Sequence, residues 1–132
     1  MKKFIVILFA LFAVQTFSQE KVGELSFETK TIDYGVVEQH SDGKKHFSLT
    51  NTGDAPIVIE KIKPSCGCTV VSKPTEPILP GETVELEVKY ATNRLGQFSK
   101  TITITSNAKS KVNTLRIKGL VLDAESYISA TK

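Results

Sequence analysis

Apolar and polar residues alternate along much of this chain with a period of two. In the segment TVELEVKY, the apolar residues share one parity and the charged residues the other: Val84, Leu86, Val88 and Tyr90 against Glu85, Glu87 and Lys89. Successive side chains of a β-strand point to opposite faces of the sheet. The segment therefore predicts a strand with one buried face and one face in water.

The same pattern predicts further strands on both sides of this segment. Inward positions are expected at Phe47 and Leu49, in the apolar run Ile57, Val58 and Ile59, at Ile102 and Ile104, and at Leu115, Ile117 and Val121. Two more short strands are predicted at 25–29 and 34–37. The stretches NTGDAP and NRLGQ carry turn-forming residues, and each is expected to close a hairpin, the second through Gly96.

About seven strands in just over 100 residues predict an all-β fold. The spacing is typical of an antiparallel β-sandwich of the immunoglobulin-like type, which we place at residues 19–122. No apolar period of 3.6 residues persists for three turns, so no helix is expected. Residues 123–132 are predicted to form a short, polar, frayed tail.

The first 18 residues have the layout of a secretory signal peptide. Lys2 and Lys3 precede an apolar run from Phe4 to Val14, and small residues follow at Thr16 and Ser18. The run is too short to cross a bilayer as a helix, which needs about 20 residues. We expect a mature protein that begins near Gln19, is not held in the membrane, and resides in the periplasm or is secreted.

The formal charge of the whole chain is +3. Removal of Lys2 and Lys3 lowers it to about +1, far below the basic footprint that nucleic acid or anionic lipid would require. Neither nucleic acid nor membrane is therefore an expected partner. An envelope or extracellular protein is the remaining class of partner, and its identity and the oligomeric state are left open.

No pattern of catalytic residues accompanies these strands. Serines are plentiful, but none lies in a Gly-x-Ser-x-Gly setting, and no glycine-rich loop opens a helix. His40 and His46 bracket a polar turn and are expected to be solvated. The sequence therefore predicts that the protein is not an enzyme and has no catalytic residues.

Several segments together resemble a family of secreted bacterial domains of unknown function marked by an SCGCT motif. The segments are DYGVV, LTNTGDAPIVI, PSCGCTV, PILPGETVELEVKY, GQFSKTITITSN and LRIKGLV, from about Phe27 to Val121. That family is similar to the Hydin-type and major-sperm-protein-type sandwiches. The resemblance implies an immunoglobulin-like fold in or outside the cell envelope, and it supplies no catalytic residues.

The chain's two cysteines, Cys66 and Cys68, are separated by Gly67 alone. In an extended strand their Cα atoms would be close to 7 Å apart, at the limit for a disulfide, so a bond requires the backbone to bend. We expect Gly67 to permit that bend and Pro64 to make the strand edge irregular. Closure of so small a loop contributes only about 1.5 kcal/mol. A strained, exposed bond is expected, and it would be easily reduced.

Three interpretations of this site stay open, with Pro64, Ser65, Gly67 and Thr69 as its supporting loop. Cys66 and Cys68 could form a local disulfide or two half-buried thiols that shape the loop. They could be a redox pair, with Lys61 and Lys63 favouring thiolate. They could also bind a soft ion. Cu(I) suits two thiolates better than Zn(II) does, because Zn(II) would need four ligands. The leading hypothesis is an exported, non-catalytic binding or structural module without a cofactor; the alternative is a thiol redox or Cu(I)-handling protein.

Overall fold

Eight strands form the body of the protein in the part described by the computed structural model, residues 20–132. They are β1 (Leu25–Phe27), β2 (Thr31–Glu38), β3 (Lys44–Asn51), β4 (Ile59–Pro64), β5 (Thr69–Val71), β6 (Thr83–Tyr90), β7 (Gly96–Ser106) and β8 (Val112–Leu122). The predicted signal peptide, residues 1–18, and Gln19 lie outside the described residues.

The strands form two four-stranded sheets packed face to face. The first sheet has the order β1-β3-β6-β5 and the second the order β2-β8-β7-β4. All pairs within the sheets are antiparallel except β2 with β8, which run parallel. The predicted immunoglobulin-like β-sandwich is confirmed, with one parallel pair that the local pattern does not reveal.

Both predicted hairpins are wrong in the same way. The stretch NTGDAP joins β3 of the first sheet to β4 of the second, and the turn before Gly96 joins β6 of the first sheet to β7 of the second. Gly96 has φ +110°, so the glycine is used for a left-handed turn as expected. Turn residues show where the chain reverses, but they do not show which sheet it enters next.

The alternating residues supply the core as predicted. Side chains of low exposure from both sheets meet between them, and the largest with almost no exposure include Phe47, Leu49, Leu86, Val88, Ile102, Ile104, Leu115 and Ile117. In the apolar run that leads into β4, Ile57 and Ile59 are buried, but Val58 is exposed, so the expectation of an inward position is wrong for Val58. Because burial of each such side chain contributes about 1.5–3 kcal/mol, this interior supplies most of the stability of the sandwich.

Three aromatic rings close one end of the core. The ring of Phe98 stacks on Tyr90 with centroids 3.8 Å apart and meets the ring of Tyr34 edge-on at 5.4 Å. The hydroxyl of Tyr34 donates a hydrogen bond to the backbone oxygen of Gly43 at 2.8 Å. This bond ties β2, at the edge of the second sheet, to the residue just before β3 of the first sheet.

We expect the protein to lose stability above pH 10 through Tyr34. Burial of the ring, with a smaller contribution from the charge of Asp42, raises the pKa of Tyr34 from 10.0 to about 12. Because the folded state holds this proton more tightly than the unfolded chain, the contribution is complete below pH 10 and is lost as the pH rises towards 12. Urea unfolding at a series of pH values, with Tyr34→Phe as the matched control, isolates the effect. An identical pH dependence in the two proteins would contradict it.

A short helix, α1 (Ala124–Ala130), follows the last strand. The carboxylate of Asp123 accepts a hydrogen bond from the backbone N–H of Ser126 at 2.7 Å and caps its first turn. The prediction that no helix exists and that the tail is frayed is therefore wrong for these seven residues. A helix of two turns is too short for a periodic apolar face to show in the sequence.

Among residues 20–132, no helix has the length and apolar character needed to cross a membrane.

Candidate functional site

The segment Ser65–Cys68 lies where the chain passes from one sheet to the other. β4 ends at Pro64 on an edge of the second sheet, and β5 begins at Thr69 on an edge of the first. The two edge strands contact each other across the sandwich. The cysteines, two residues apart in sequence, therefore occupy a corner of the fold, on the side where both sheets end.

Cys66 and Cys68 are joined by a disulfide, and their Cα atoms are 5.3 Å apart. That separation is within the usual range for disulfides and shorter than the spacing in an extended strand. The chain reaches it by a tight turn, in which the backbone oxygen of Cys66 accepts a hydrogen bond from the N–H of Thr69 at 3.4 Å.

Hydrogen bonds to both sheets fix this turn in place. The N–H of Ser65 donates to the backbone oxygen of Thr101 at 2.8 Å, and the hydroxyl of Ser65 accepts from the N–H of Thr101 at 3.1 Å. On the other side, the backbone oxygen of Cys68 accepts from the N–H of Ala91 at 2.9 Å. The turn is thus attached to β7 and to the end of β6 by bonds that do not involve sulfur.

The two cysteines differ in burial. Cys68 is 5% exposed and belongs to the core, and Thr69 beside it is 3% exposed. Cys66 is half-buried and packs against the core from outside. The expectation of an exposed disulfide is therefore wrong for Cys68, because the start of β5 turns its side chain between the sheets.

The sulfur of Cys66 has two hydrogen-bond donors nearby. The backbone N–H of Cys68 donates to it at 3.3 Å, and the hydroxyl of Thr69 lies 4.0 Å from it. Hydrogen bonds of this kind favour the charged form of an atom that can carry negative charge. Thr69 thus reaches the predicted site with its side chain.

Gly67 and Pro64 act differently from what the sequence suggests. Gly67 is not at a positive φ, and a Cβ placed on it would meet no atom within 4 Å beyond its two chain neighbours, so the bend does not require glycine. Pro64 pairs with Ile102 in the regular ladder of β4. Because Ser65 bonds to Thr101, strand alternation turns the ring nitrogen of Pro64 towards the free side of β4.

The predicted auxiliary residues are spread over separate surfaces. Lys61 and Lys63 are exposed along β4. The imidazole of His46 lies 3.5 Å from the carboxylate of Glu87 on the outer face of the first sheet, and His40 is exposed. Across residues 20–132, no three His, Cys, Asp or Glu side chains are grouped to hold a metal ion. A Cu(I) site on Cys66 and Cys68 would require both sulfurs to be free, and it stays a prediction for the reduced protein.

Two residues at this corner, Lys73 and Val70, are not predicted from the sequence. The ammonium group of Lys73, in the loop after β5, donates to the backbone oxygen of Glu60 on β4 at 2.9 Å. Val70, the middle residue of β5, is 66% exposed on the outer face. Val70 has no sequence signal, because β5 is only three residues long and too short to show alternation. The bond of Lys73 joins residues 13 apart in sequence, which no local pattern reveals.

Among residues 20–132, β4 and β5 are edge strands at this corner, and their edges differ in how open they are. β4 carries Lys61, Lys63 and Pro64, and Lys73 occupies one of its carbonyls. Charges, proline and a bound carbonyl all hinder the addition of another strand. β5 has the sequence Thr-Val-Val, with neither charge nor proline. The open edge is therefore that of β5.

The profile of the protein family described as "Protein of unknown function (DUF1573)" matches residues 25–121. The chain belongs to this family. No curated protein matches the chain at a significant level.

Solved structures similar to this DUF1573 chain include three sandwiches of low sequence identity. A protein of unknown function from Porphyromonas gingivalis W83 is 18% identical with a TM-score of 0.63, over 81% of this chain and 50% of that one. The ASH/PapD-like domain 7 of human CEP192 is 9% identical with a TM-score of 0.62, and the match covers 85% of this chain and 94% of that one. A structure of the CsuC–CsuE chaperone–tip adhesion subunit complex from Acinetobacter baumannii contains a chain that is 14% identical with a TM-score of 0.56, over 82% and 65%.

These likenesses concern the fold alone, because all identities are low. The DUF1573 chain spans about half the length of the P. gingivalis protein.

Proposed function

We propose that this DUF1573 protein is an exported, non-catalytic binding module of the cell envelope that receives an extended segment of a partner protein along β5. The observation that carries the proposal is the combination of an open backbone edge with an exposed apolar side chain at Val70. The signal-peptide pattern of residues 1–18 supports export. The occupant is an extended protein segment with apolar residues, because main-chain pairing supplies affinity and the side-chain contact selects the sequence.

Strand alternation indicates which backbone groups of β5 have no backbone partner within residues 20–132. The backbone oxygen of Cys68 bonds to Ala91 just after β6, and the N–H of Ser72 bonds to Glu87 in β6. Because every second residue of a strand bonds to the same neighbour, the backbone N–H and oxygen of Val70 also point towards β6. The backbone groups of Val71 and the oxygen of Thr69 then point away from the sheet. A partner strand would bond to these groups and pass beside the side chain of Val70.

A similar fold takes part in partner binding elsewhere. The CsuC–CsuE structure is described as a complex between a chaperone and a tip adhesion subunit. That description concerns the Acinetobacter proteins. It supports the general idea that a sandwich of this kind binds other proteins.

We expect a photoreactive phenylalanine analogue at position 70 to crosslink to a discrete protein partner in the native host. The same analogue at position 95 is the matched control, because Leu95 is also apolar and 56% exposed but lies outside β5. Adducts are detected by gel shift and identified by mass spectrometry. Equal adducts from both positions, or none from position 70, would contradict binding along β5.

A second pair of variants tests the backbone contribution to the same adduct. Val71→Pro removes the outward N–H and leaves the bonds of β5 to β6 in place, whereas Val71→Thr keeps that N–H. We expect Val71→Pro to reduce the adduct at position 70 by about tenfold, since a hydrogen bond and the fit of the strand are both lost. Val71→Thr should retain the adduct. Circular dichroism verifies that both variants remain folded.

A further inference from the structure

The corner of the sandwich presents one reachable sulfur and one buried sulfur. We propose that the turn is also a site of thiol–disulfide exchange with a partner dithiol, in which Cys66 forms the bond to the partner and Cys68 resolves it. This proposal is independent of strand binding along β5. It rests on burial, on hydrogen bonds to sulfur and on how the turn is attached.

Access selects Cys66 as the sulfur that a partner meets. Exchange requires the attacking thiolate to approach a disulfide sulfur along the direction of the bond that breaks. Cys68 is only 5% exposed and lies between the sheets, whereas Cys66 is half-buried at the surface. Cys66 is therefore the sulfur that a partner's thiolate can reach.

Hydrogen bonds favour a thiolate at the same atom. In the reduced protein, the N–H of Cys68 and the hydroxyl of Thr69 remain beside the sulfur of Cys66 if the turn keeps its shape. Thiolates, and not thiols, carry out the exchange reaction, and they form where such donors are available. The reachable sulfur is thus also the one that the protein prepares for nucleophilic attack.

The turn can keep its shape when the sulfur–sulfur bond breaks. The bonds of Ser65 to Thr101 and of Cys68 to Ala91 hold both ends without sulfur. The disulfide closes a loop of three residues, and such closure contributes about 1.5 kcal/mol at most. This is a small part of the 5–15 kcal/mol typical of a domain, so the pair can cycle without unfolding the sandwich.

The reaction balances with the dithiol as the reductant. A thiolate of the partner attacks the sulfur of Cys66, the bond between Cys66 and Cys68 breaks, and Cys68 leaves as a thiolate that takes a proton from solvent. The partner's second thiolate then attacks the partner's first sulfur, which is bonded to Cys66 in the mixed disulfide. This forms the partner's disulfide and releases Cys66 as a thiolate. The partner becomes a disulfide and the cysteine pair a dithiol, a transfer of two electrons. In the reverse direction, Cys66 attacks the partner's disulfide and Cys68 resolves the same mixed disulfide.

Single alanine variants of the full mature chain test the asymmetry, with an aromatic disulfide (5,5′-dithiobis-2-nitrobenzoate) as the probe. Cys68→Ala leaves Cys66 as the single thiol of the chain, and Cys66→Ala leaves Cys68. We expect the thiol of Cys66 to react at least about tenfold faster than the thiol of Cys68, because reactivity follows exposure and thiolate character. In guanidinium chloride the two rates should agree. Equal rates in the folded proteins, or faster reaction of Cys68, would overturn the assignment of Cys66.

The exchange function itself is tested separately on the wild-type protein. We expect dithiothreitol to reduce the pair without denaturant, while the circular dichroism spectrum and the cooperative unfolding transition persist. A pair that is reduced only in denaturant, or a chain that unfolds on reduction, would show that the disulfide is structural. Failure of this test refutes exchange, whereas failure of the alanine comparison refutes only the choice of cysteine.

Discussion

Replacing Asn51 by leucine is expected to lower the free energy of unfolding by about 3–5 kcal/mol, because at least three hydrogen bonds from its buried side chain to backbone groups are lost. Asn51 is fully buried at the end of β3. Its side-chain amide donates to the backbone oxygens of Ala55 at 2.8 Å and Ile78 at 2.9 Å, and its side-chain oxygen accepts from the N–H of Gly53 at 3.0 Å. Leucine has a similar volume but satisfies none of these groups.

Chemical denaturation followed by circular dichroism measures this change, with Asn93→Leu as the control. Asn93 is exposed in the turn after β6, so the same substitution there should alter stability by less than about 0.5 kcal/mol. A decrease below about 1 kcal/mol for Asn51→Leu would mean that water or a local shift satisfies the three groups. It would contradict the role of Asn51 as the residue that holds this turn to the segment near Ile78.

Replacing Gly119 by alanine is expected to lower the free energy of unfolding by about 2–3 kcal/mol, as is typical of forced overpacking in a core. A Cβ at this position would lie 2.8 Å from the Cβ of Tyr34 and 2.9 Å from the ring of Phe98. The ring of Phe98 cannot retreat easily, because it is stacked on Tyr90. The midpoint of thermal unfolding should fall by roughly 10 °C for a domain of this size.

Gly67→Ala is the matched control for this substitution. Its new methyl group meets no atom within 4 Å beyond its two chain neighbours, and the backbone is not left-handed there, so the free energy of unfolding should stay almost unchanged. Thermal unfolding of the two variants side by side separates the loss of a glycine from the filling of an occupied space. Equal effects would contradict the close packing of Gly119 against the aromatic rings.

Much of the fold could be predicted because its signal is local. Residues such as Leu86 and Ile104 are buried as the alternation predicts, since side-chain direction in a strand depends only on position along that strand. The confirmed sandwich follows from the number and spacing of such segments. The helix α1 and the strand β5 were missed because both are too short for a period to appear.

The candidate site was predicted only as a pair of residues. Spacing placed Cys66 and Cys68 together, but their difference in burial arises from the corner between β4 and β5, which involves strands from both sheets. The same limit applies to Asn51, which reads as an ordinary turn residue in NTGDAP and is in fact buried. A residue's partners far along the chain cannot be deduced from its neighbours.

By itself the sequence determined that this chain forms strands with one apolar face, that those faces close into a sandwich, and that two cysteines share one turn. The physical reason is that alternation and turn chemistry act over a few residues. Only the tertiary structure decided which sheet each strand joins, which glycine has no room for a side chain, and which cysteine faces solvent. These features depend on packing between segments distant in sequence, where burial and steric contact are set by the whole fold.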